Sequence, residues 1–428
     1  MSDVIHRRTD CRACGCKNLM LVFRLKPSPI GDAYVQSDRL TEPQLSYPID
    51  LFMCPQCGLA QIIDIIKPEI LYGEYLDVKA SSLGFLQHFQ EYASSVIKRC
   101  RLSAGDHVIN ICSNDAFRGG LRCGNDSTFL RYFHASGMNV LGIEPASHIA
   151  AQATANGITT IGKFFTPDLA REIVATYGPA KLVTANNVFA NIDDLRSWVE
   201  GVNQLLAVDG VFVFESYYLA DLVHNMVFDF IYHEHLSAFS VKPIQALFQS
   251  IGLELVVVER VATKGGSLRY FVQRPGGPIA NDGSVEKLLQ EEESMGLYRK
   301  ETYIAFADKV NALKDETKRF LIQAKSEGKS IAGFGASITG TTLIYHFEIG
   351  EYLDYLVDDN LAKQGRFSPG FHLPVLPTSA LYERKPDYVV ILAWRFAEPF
   401  IKNNQAYVME GGAFVVPVPL FKVVSEHV

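Results

Sequence analysis

The sequence predicts an α/β protein of three parts, with a metal-binding N-terminal section followed by two Rossmann-like units. Three observations lead to this prediction: two Cys-x-x-Cys pairs near the N-terminus, alternating strand-like and helix-like runs through the middle, and a second alternating run near the C-terminus. The chain has 428 residues, which suits two or three domains. We place the divisions at residues 1–80, 81–275 and 276–428.

Composition narrows the class of protein. Hydrophobic residues make up 48% of the chain and charged residues 20%, so a sizeable core is available and disorder is not expected. The net charge of −7 argues against a nucleic-acid partner, which would favour a basic face. No apolar run reaches the roughly 18 residues of a spanning helix, and the N-terminus lacks a signal peptide's apolar core. We therefore expect a cytoplasmic protein with no membrane partner, and the oligomeric state stays open.

The N-terminal cysteines have the spacing of a structural zinc site. Cys11 and Cys14 form one Cys-x-x-Cys pair, and Cys54 and Cys57 form a second. Each pair lets two thiolates reach one ion from a tight turn, so the two pairs supply four ligands of a tetrahedral site. Cys16 could compete with Cys14, but the x-x spacing of the second pair favours Cys14. A site closed by four cysteines has no open position, so we expect it to stabilise the fold rather than to catalyse.

The middle section predicts a parallel, doubly wound sheet. Strand-like runs begin at His107, Val140, Lys181 and Gly210, and helix-like runs lie between them. Ligands of such sheets bind at the carboxyl ends of the strands. The second strand ends at Glu144, where an acid can accept the ribose hydroxyls of a nucleotide-type cofactor.

Four side chains that can move or orient protons follow the fourth strand. Tyr232, His233, Glu234 and His235 are consecutive. Histidine titrates near neutral pH, a carboxylate can orient it, and a phenol can donate to a developing oxyanion. A polar surface loop explains this run equally well on local grounds, so its interpretation depends on the rest of the chain.

The C-terminal section predicts a second Rossmann-like unit. A helical stretch at 284–327 precedes a strand, a glycine-rich turn and a helix start at 330–340. Glycines in such a turn let backbone N–H groups approach an anion. Later strands end near Asn360 and Trp394, which extends the alternating pattern.

These motifs, in this order, resemble the sugar-nucleotide C-methyltransferases of deoxysugar biosynthesis. Besides the cysteine pairs, the matching segments are 142–145, 185–190, 232–237, 265–269, 357–360, 363–366 and 369–370. The resemblance runs over nearly the whole chain, and Tyr-His-Glu-His in this context is specific. It implies a class I methyltransferase domain in the middle, S-adenosylmethionine as the cofactor and a nucleotide-linked keto-deoxysugar as the substrate.

The resemblance also implies roles for individual residues. His235 would remove a proton from the carbon next to the ketone, Tyr232 would face the sugar oxygen, and Glu234 would orient the imidazole. Two further catalytic candidates are Tyr75 and Asn191. The cofactor-binding candidates are Ser113, Asn114, Asp115, Asn125, Asp126, Glu144 and Asn187, and the substrate-binding candidates are Ser267, Arg269 and Lys363.

Several departures from the family pattern bear on the chemistry. The turn after the first strand has Cys112 in place of a glycine, and residues 123–126 nearly repeat that turn, so either copy, or neither, forms the cofactor loop. Asn191 stands where the family has His, and asparagine cannot exchange a proton near pH 7. In the C-terminal section, Thr339 replaces a Lys and Arg395 replaces an Asn.

These departures leave three functions open. The leading hypothesis is S-adenosylmethionine-dependent methylation of a carbon alpha to the ketone of a nucleotide-linked keto-deoxysugar, through an enolate formed by a His base. The second is an enzyme of the same fold that epimerises or isomerises a nucleotide sugar without methyl transfer. The third is a non-catalytic sugar-nucleotide binding protein.

Overall fold

The fold is mixed α/β, as the sequence predicts. The computed structural model describes residues 4–71, 83–111 and 128–425. In this part of the chain, two small sheets lie near the N-terminus, a seven-stranded sheet lies in the middle and a six-stranded sheet lies near the C-terminus. None of the helices in the described ranges is both long and apolar enough to cross a membrane.

The N-terminal section forms two antiparallel sheets around the cysteine pairs. Its elements are β1 (Ile5–Arg7), β2 (Met20–Phe23), β3 (Leu51–Met53), β4 (Ala60–Ile62), β5 (Asp64–Ile66) and α1 (Pro68–Leu71). β1 pairs with β5, and β2, β3 and β4 follow one another in the second sheet. The far edge of that second sheet is formed by Ser237–Ala238, which begin two residues after His235.

The middle section is built on a seven-stranded sheet covered by helices. Its elements are α2 (Leu83–Arg99), β6 (His107–Ile111), α3 (Thr128–Ala135), β7 (Asn139–Ile143), α4 (Ser147–Ala155), β8 (Thr160–Ile161), α5 (Pro167–Tyr177), β9 (Ala180–Asn186), α6 (Leu195–Leu205), β10 (Leu206–Tyr217), α7 (Leu219–His224), β11 (Ser237–Ala238), α8 (Val241–Gln249), β12 (Glu254–Val261) and β13 (Ser267–Gln273). The strand order is β8-β7-β6-β9-β10-β13-β12, with β11 placed in the N-terminal sheet. This order is that of class I methyltransferases.

The four strands predicted for this sheet run parallel, and the sheet also contains one antiparallel strand. β13 runs antiparallel to both of its neighbours, β10 and β12. Only residues 262–266 connect β12 to β13, which is too few for a crossover helix, so the two strands form a hairpin. The other neighbouring strands of this sheet run parallel.

The strand order reverses between β6 and β9, and this positions the ligand crevice. From β6 the chain moves outward to β7 and β8, and then returns to the other side of β6 as β9 and β10. In open α/β sheets, ligands bind at the carboxyl ends of the strands where the order reverses. The segments that follow β7, β9 and β10 therefore face one crevice.

The C-terminal section contains a six-stranded sheet and two long helices that precede it. Its elements are α9 (Ser284–Ser294), α10 (Lys300–Ser326), β14 (Ile331–Phe334), α11 (Ile338–Phe347), β15 (Tyr355–Val357), β16 (Val375–Leu376), α12 (Ala380–Arg384), β17 (Tyr388–Ile391), α13 (Ala397–Asn403), α14 (Gln405–Met409), β18 (Ala413–Val416) and β19 (Lys422–Val424). The order is β16-β15-β14-β17-β18-β19, with β19 antiparallel to β18 and the others parallel. The helical stretch predicted at 284–327 consists of two helices, with Gly296 at φ 64° between them.

Candidate active site

One cavity at the carboxyl ends of the central strands contains most of the predicted catalytic groups. Its volume is about 550 Å3, which suits a cofactor together with the reacting part of a substrate. The polar residues that line it include Glu144, Asn186, Asn187, Asn191, Tyr232, Glu234, His235 and Lys264. Segments that are far apart in the sequence thus meet around one space.

The side of the cavity next to β7 and β9 contains several buried polar groups. Glu144 is buried just past the end of β7, and its carboxylate accepts a hydrogen bond from the Ala146 amide at 2.9 Å. Within the described residues, three buried amide atoms have no hydrogen-bond partner: Asn186 Nδ2, Asn187 Oδ1 and Asn191 Oδ1. A buried polar atom without a partner costs about 1–3 kcal/mol. The cluster therefore favours a polar ligand at this end of the cavity.

His235 and Tyr232 form a buried hydrogen-bonded pair. His235 Nδ1 lies 2.8 Å from the carbonyl oxygen of Phe230. Because a carbonyl only accepts, Nδ1 carries the proton, and Nε2 is the basic nitrogen. The Tyr232 hydroxyl lies 2.8 Å from Nε2 and donates to it, with the two rings stacked at a centroid distance of 4.0 Å. A proton can therefore pass between the imidazole and the phenol.

The backbone around His235 is fixed by contacts from three directions. The His235 amide donates to the Tyr232 carbonyl at 2.9 Å, which closes a tight turn. The carbonyl of Leu236 accepts from the buried Arg12 guanidinium at 3.1 Å and from the Ile62 amide at 3.0 Å. Both donors belong to the N-terminal section. The pair is thus held in a rigid loop, which preorganises it for catalysis.

The second imidazole of the run has a different environment. His233 is buried, and its Nε2–H donates to the carbonyl of Tyr47 at 3.2 Å. Burial lowers the pKa of His233 to about 4, so this ring is neutral at physiological pH. His233 does not belong to the cavity lining, whereas His235 does. The structure therefore distinguishes two histidines that the sequence presents side by side.

The predicted substrate contacts are not among the residues that line this cavity. Arg269 is paired with Glu215 at 2.6 Å, and Ser267 donates to the Thr263 carbonyl at 3.1 Å. Lys363 is buried in the C-terminal section. Each is thus engaged within the protein, and their contact with a substrate stays a prediction.

Lys363 closes the glycine-rich turn after β14. Its ammonium donates to the Ala336 carbonyl at 2.6 Å and pairs with Asp32 of the N-terminal section at 2.7 Å. The Asp358 carboxylate accepts from the Ala336 amide at 2.7 Å. An anion at this turn would have to displace that carboxylate. The turn therefore joins two sections of the protein, and the anion-binding interpretation drawn from its glycines stays a prediction.

Six of the predicted site residues lie outside the described residues. They are Tyr75, Ser113, Asn114, Asp115, Asn125 and Asp126. Their catalytic and cofactor-binding roles stay predictions.

The four cysteines of the N-terminal section converge on one point. The Sγ atoms of Cys11, Cys14, Cys54 and Cys57 all lie within 4.8 Å of one another. Zinc–sulfur bonds of about 2.3 Å place the sulfurs of a tetrahedral site roughly 3.8 Å apart, so the cluster fits the metal. Cys16 is not part of it, and its thiol faces the Asn18 carbonyl instead. The preference for Cys14 over Cys16 is confirmed.

Asn186 and Lys264 are two of the cavity residues that sequence reasoning missed. Asn186 is the last residue of β9, next to the predicted Asn187. Lys264 precedes the glycines of the 265–269 segment, so the motif that carried the resemblance also marked its position. Neither residue type signals a site alone; only the fold brings both to the cavity.

Comparison with known proteins identifies the family. Three family models match the chain: "Putative zinc binding domain" over residues 11–72, "Methyltransferase domain" over 122–258 and "C-methyltransferase C-terminal domain" over 262–419. C-methyltransferase NovU of Streptomyces niveus is 30% identical over 426 residues, covering 99% of each chain. The chain belongs to the S-adenosylmethionine-dependent C-methyltransferase family. The expectation of this family is thereby confirmed, and so are its zinc-binding section and its methyltransferase fold.

Solved structures resemble part of this C-methyltransferase. Magnesium protoporphyrin IX methyltransferase from Synechocystis PCC 6803 covers 45% of this chain and 80% of its own, with 13% identity and a TM-score of 0.32. An S-adenosylmethionine-dependent methyltransferase from Clostridium acetobutylicum ATCC 824 covers 45% of this chain and 92% of its own, with 12% identity and a TM-score of 0.34.

The lining of the cavity fits the cofactor of this C-methyltransferase. S-adenosylmethionine carries ribose hydroxyls, an amino group and a carboxylate, all of which need polar partners. Glu144 at the end of β7 and the unpartnered amides after β9 offer such partners within the described residues. When bound, the cofactor supplies an electrophilic methyl group.

Proposed function

We propose that this C-methyltransferase methylates the carbon next to the ketone of a nucleotide-linked keto-deoxysugar, with His235 as the base. The observation that carries the proposal is the Tyr232–His235 pair, which lines the same cavity as Glu144 and the unpartnered amides. A carbon acceptor needs a base within reach of the methyl donor. This arrangement supplies one.

The chemistry follows from the protonation of the pair. His235 Nε2 takes the proton from the carbon next to the ketone, and the electrons of the C–H bond move into a new carbon–carbon double bond. The electron pair of the carbonyl π bond moves onto the oxygen and gives an enolate. S-adenosylmethionine, held by Glu144 and the amides of Asn186, Asn187 and Asn191, would supply an electrophilic methyl group to the enolate carbon, its sulfur would keep the electrons of the broken bond, and the ketone would re-form. Tyr232 can donate its proton where charge develops.

A second cavity supports a nucleotide-linked substrate. It has a volume of about 450 Å3 and shares Leu71 and Glu234 with the first cavity. Its walls carry Arg39 from the N-terminal section and Arg366 from the C-terminal section. Arg366 donates from Nε to the Ala362 carbonyl at 2.9 Å and has no ion pair within the described part of the chain. Guanidinium groups bind phosphate oxygens well, so this cavity suits the diphosphate end of the substrate.

The test is a methyl-transfer assay on nucleoside-diphosphate keto-deoxysugars. Purified protein is incubated with S-adenosylmethionine and a panel of such sugars that differ in the nucleoside, and products are followed by mass spectrometry and NMR. We expect a methyl group on the carbon next to the ketone. His235→Ala should lose about 100-fold or more in kcat, because the base is removed.

The matched control for this test is His224→Ala. His224 is exposed at the end of α7 and does not line the cavity, so this variant should retain wild-type turnover. Methyl transfer by His235→Ala at the wild-type rate would mean that another group is the base. If no sugar of the panel is methylated, the proposed substrate class is wrong.

A further inference from the structure

Lys264 enters the cavity from a strained turn. It lies between β12 and β13 in a single 3-10 turn, Thr263–Gly265, with a left-handed backbone of φ 58° and ψ 22°. This conformation is uncommon for a side chain of this length and persists only where surrounding contacts impose it. Lys264 is one of the residues that line the cavity with Tyr232 and His235.

Contacts on both sides fix the turn that carries Lys264. The Gly266 carbonyl accepts from the Tyr218 amide at 3.1 Å, and the Gly265 carbonyl accepts from the Asn225 side chain at 2.9 Å. A Cβ at Gly266 would lie 2.4 Å from the Asp221 side chain, so no larger residue fits there. The backbone therefore has little freedom, and the direction of Lys264 is imposed by the fold.

The position of the turn places Lys264 on the acceptor side of the cavity. Glu144, at the end of β7, marks the cofactor ribose, and β7 is three strands from β10 in the sheet. Three strand spacings correspond to roughly 14 Å. The turn that carries Lys264 lies beside the end of β10, because Ser267, which follows the turn, pairs with Tyr217 at the end of that strand. Tyr217 also stacks on His235, with ring centroids 4.7 Å apart, so the turn that carries Lys264 lies on the side of the Tyr232–His235 pair rather than at the ribose end.

The charges around Lys264 suit a proton donor. Burial lowers the pKa of its ammonium well below the usual value, and the negative charge of Glu215 offsets part of this effect. Glu215 is itself buried and interacts with Arg269 and with His88 of α2. In its protonated form, Lys264 is then a stronger hydrogen-bond donor and acid toward an oxygen that gains negative charge.

We infer that Lys264 binds the carbonyl oxygen of the acceptor and stabilises the enolate formed when His235 removes the neighbouring proton. This inference rests on the proposed function, because it requires a ketone beside the methylated carbon. The ammonium donates a hydrogen bond to the ketone oxygen and strengthens it as charge develops there. No covalent bond forms to Lys264, and its ammonium is protonated once the ketone has re-formed. Lys264 and Tyr232 then both donate hydrogen bonds to this oxygen.

The test compares Lys264→Met, Lys264→Gln and Lys264→Arg in the full zinc-loaded chain, with Lys287→Met as the matched control on the exposed face of α9. The probes are S-adenosylmethionine alone, by calorimetry, and the nucleoside-diphosphate keto-deoxysugar that the wild type methylates. We expect Met and Gln to lower kcat about 100-fold with KM changed by less than about threefold. Lys264→Arg should recover at least about tenfold of that loss, since it restores the positive charge. The Lys287 variant should match the wild type.

Calorimetry separates an acceptor role from a cofactor role. If Lys264 binds the acceptor oxygen, S-adenosylmethionine binds Lys264→Met and Lys264→Gln within about threefold of its wild-type affinity. A loss of about tenfold or more would assign Lys264 to the carboxylate of the cofactor and overturn the inference. Turnover of both variants at the wild-type rate would overturn it while the proposed function stands. A wild type that methylates no keto-sugar overturns both.

Discussion

Asp229 shows how one buried charge connects the catalytic loop to the C-terminal section. Its side chain is fully buried, and both carboxylate oxygens lie 2.9 Å from Nη1 of Arg395. Trp394 Nε1 donates to the same carboxylate at 3.1 Å. The Arg395 guanidinium also lies over the Phe230 ring at 4.4 Å, and the carbonyl of Phe230 accepts from His235. Arg395 therefore packs against Phe230, whose carbonyl orients the His235 imidazole.

Removal of Arg395 should destabilise the protein strongly. Arg395→Met leaves the Asp229 carboxylate buried without its cation, and breaking such a pair costs about 3–5 kcal/mol. The double variant Arg395→Met, Asp229→Asn should recover much of this loss, because no buried charge remains. Denaturant unfolding measures each free energy. Arg299→Met, at an exposed ion pair, serves as the control and should change stability by less than about 1 kcal/mol.

The pH dependence of the stability of Arg395→Met has a definite sign. Burial raises the pKa of Asp229, and Arg395 offsets part of that rise. In Arg395→Met the folded state therefore binds a proton more readily than the unfolded state. Stability relative to the wild type should improve as pH falls from 7 toward the ordinary aspartate range, and worsen as pH rises. Equal deficits at pH 5 and pH 7 would show that Asp229 is not the group responsible.

At the scale of elements, α9 holds the start of α8 through one carboxylate. Glu292 is fully buried, and its side chain accepts from the Val241 amide at 2.6 Å and the Lys242 amide at 3.3 Å. The hydroxyl of Tyr218 donates to it at 2.9 Å, and Tyr298 donates as well. The first amides of a helix lack partners within the helix, and a carboxylate there also complements the helix dipole. The acidic run at 286–293, which looks like a solvated face in the sequence, thus includes a buried cap.

Glu292→Gln should weaken this connection measurably. The amide nitrogen that replaces one oxygen cannot accept, so two donors lose their partner, at a cost of about 1–3 kcal/mol in unfolding free energy. Denaturant unfolding would measure the loss. Glu293→Gln is the matched control, since Glu293 is exposed and forms only a long ion pair of 3.5 Å with Arg299. If both variants unfold like the wild type, the buried carboxylate does not stabilise α8.

Local sequence patterns predicted the positions of the strands and helices well. They did not predict which distant elements pair. The buried runs at 107–112 and 181–187 lie within one residue of the observed β6 and β9, because continuous apolar runs of this length are typical of central strands. The antiparallel sense of β13 depends on a five-residue connection whose hairpin the sequence pattern did not reveal. The placement of Ser237–Ala238 in the N-terminal sheet involves two residues, too few for any periodicity.

The same limit applies to the site. Tyr232 and His235 are close in sequence and chemically distinctive, and their roles were predicted from the resemblance to the family. Lys264 was missed because its position near them results from the β12–β13 hairpin and from the register of β13 on β10. A lysine before two glycines carries no signal of its own until the fold is known.

At the scale of the whole molecule, the zinc-binding section forms part of the floor of the active site. β11, which begins two residues after His235, pairs with β4, and β4 lies between the second cysteine pair and β5. Arg12 lies between the ligands Cys11 and Cys14, and its buried guanidinium donates to the carbonyls of Ile62 and Leu236. Through these contacts the zinc-binding section holds the segment that carries His235.

Zinc removal should therefore reduce catalysis as well as stability. Loss of the metal frees the turn that carries Arg12, and Leu236 loses a donor next to His235, so the base is no longer held in place. Incubation with a strong chelator should lower the thermal midpoint and methyl-transfer activity together, and added zinc should restore both. Cys14→Ser should contain well under about one equivalent of zinc and behave like chelated protein, whereas Cys16→Ser should contain about one equivalent and behave like the wild type. A chelated protein that keeps its turnover rate while its thermal midpoint falls would show that zinc stabilises the N-terminal section without positioning the base.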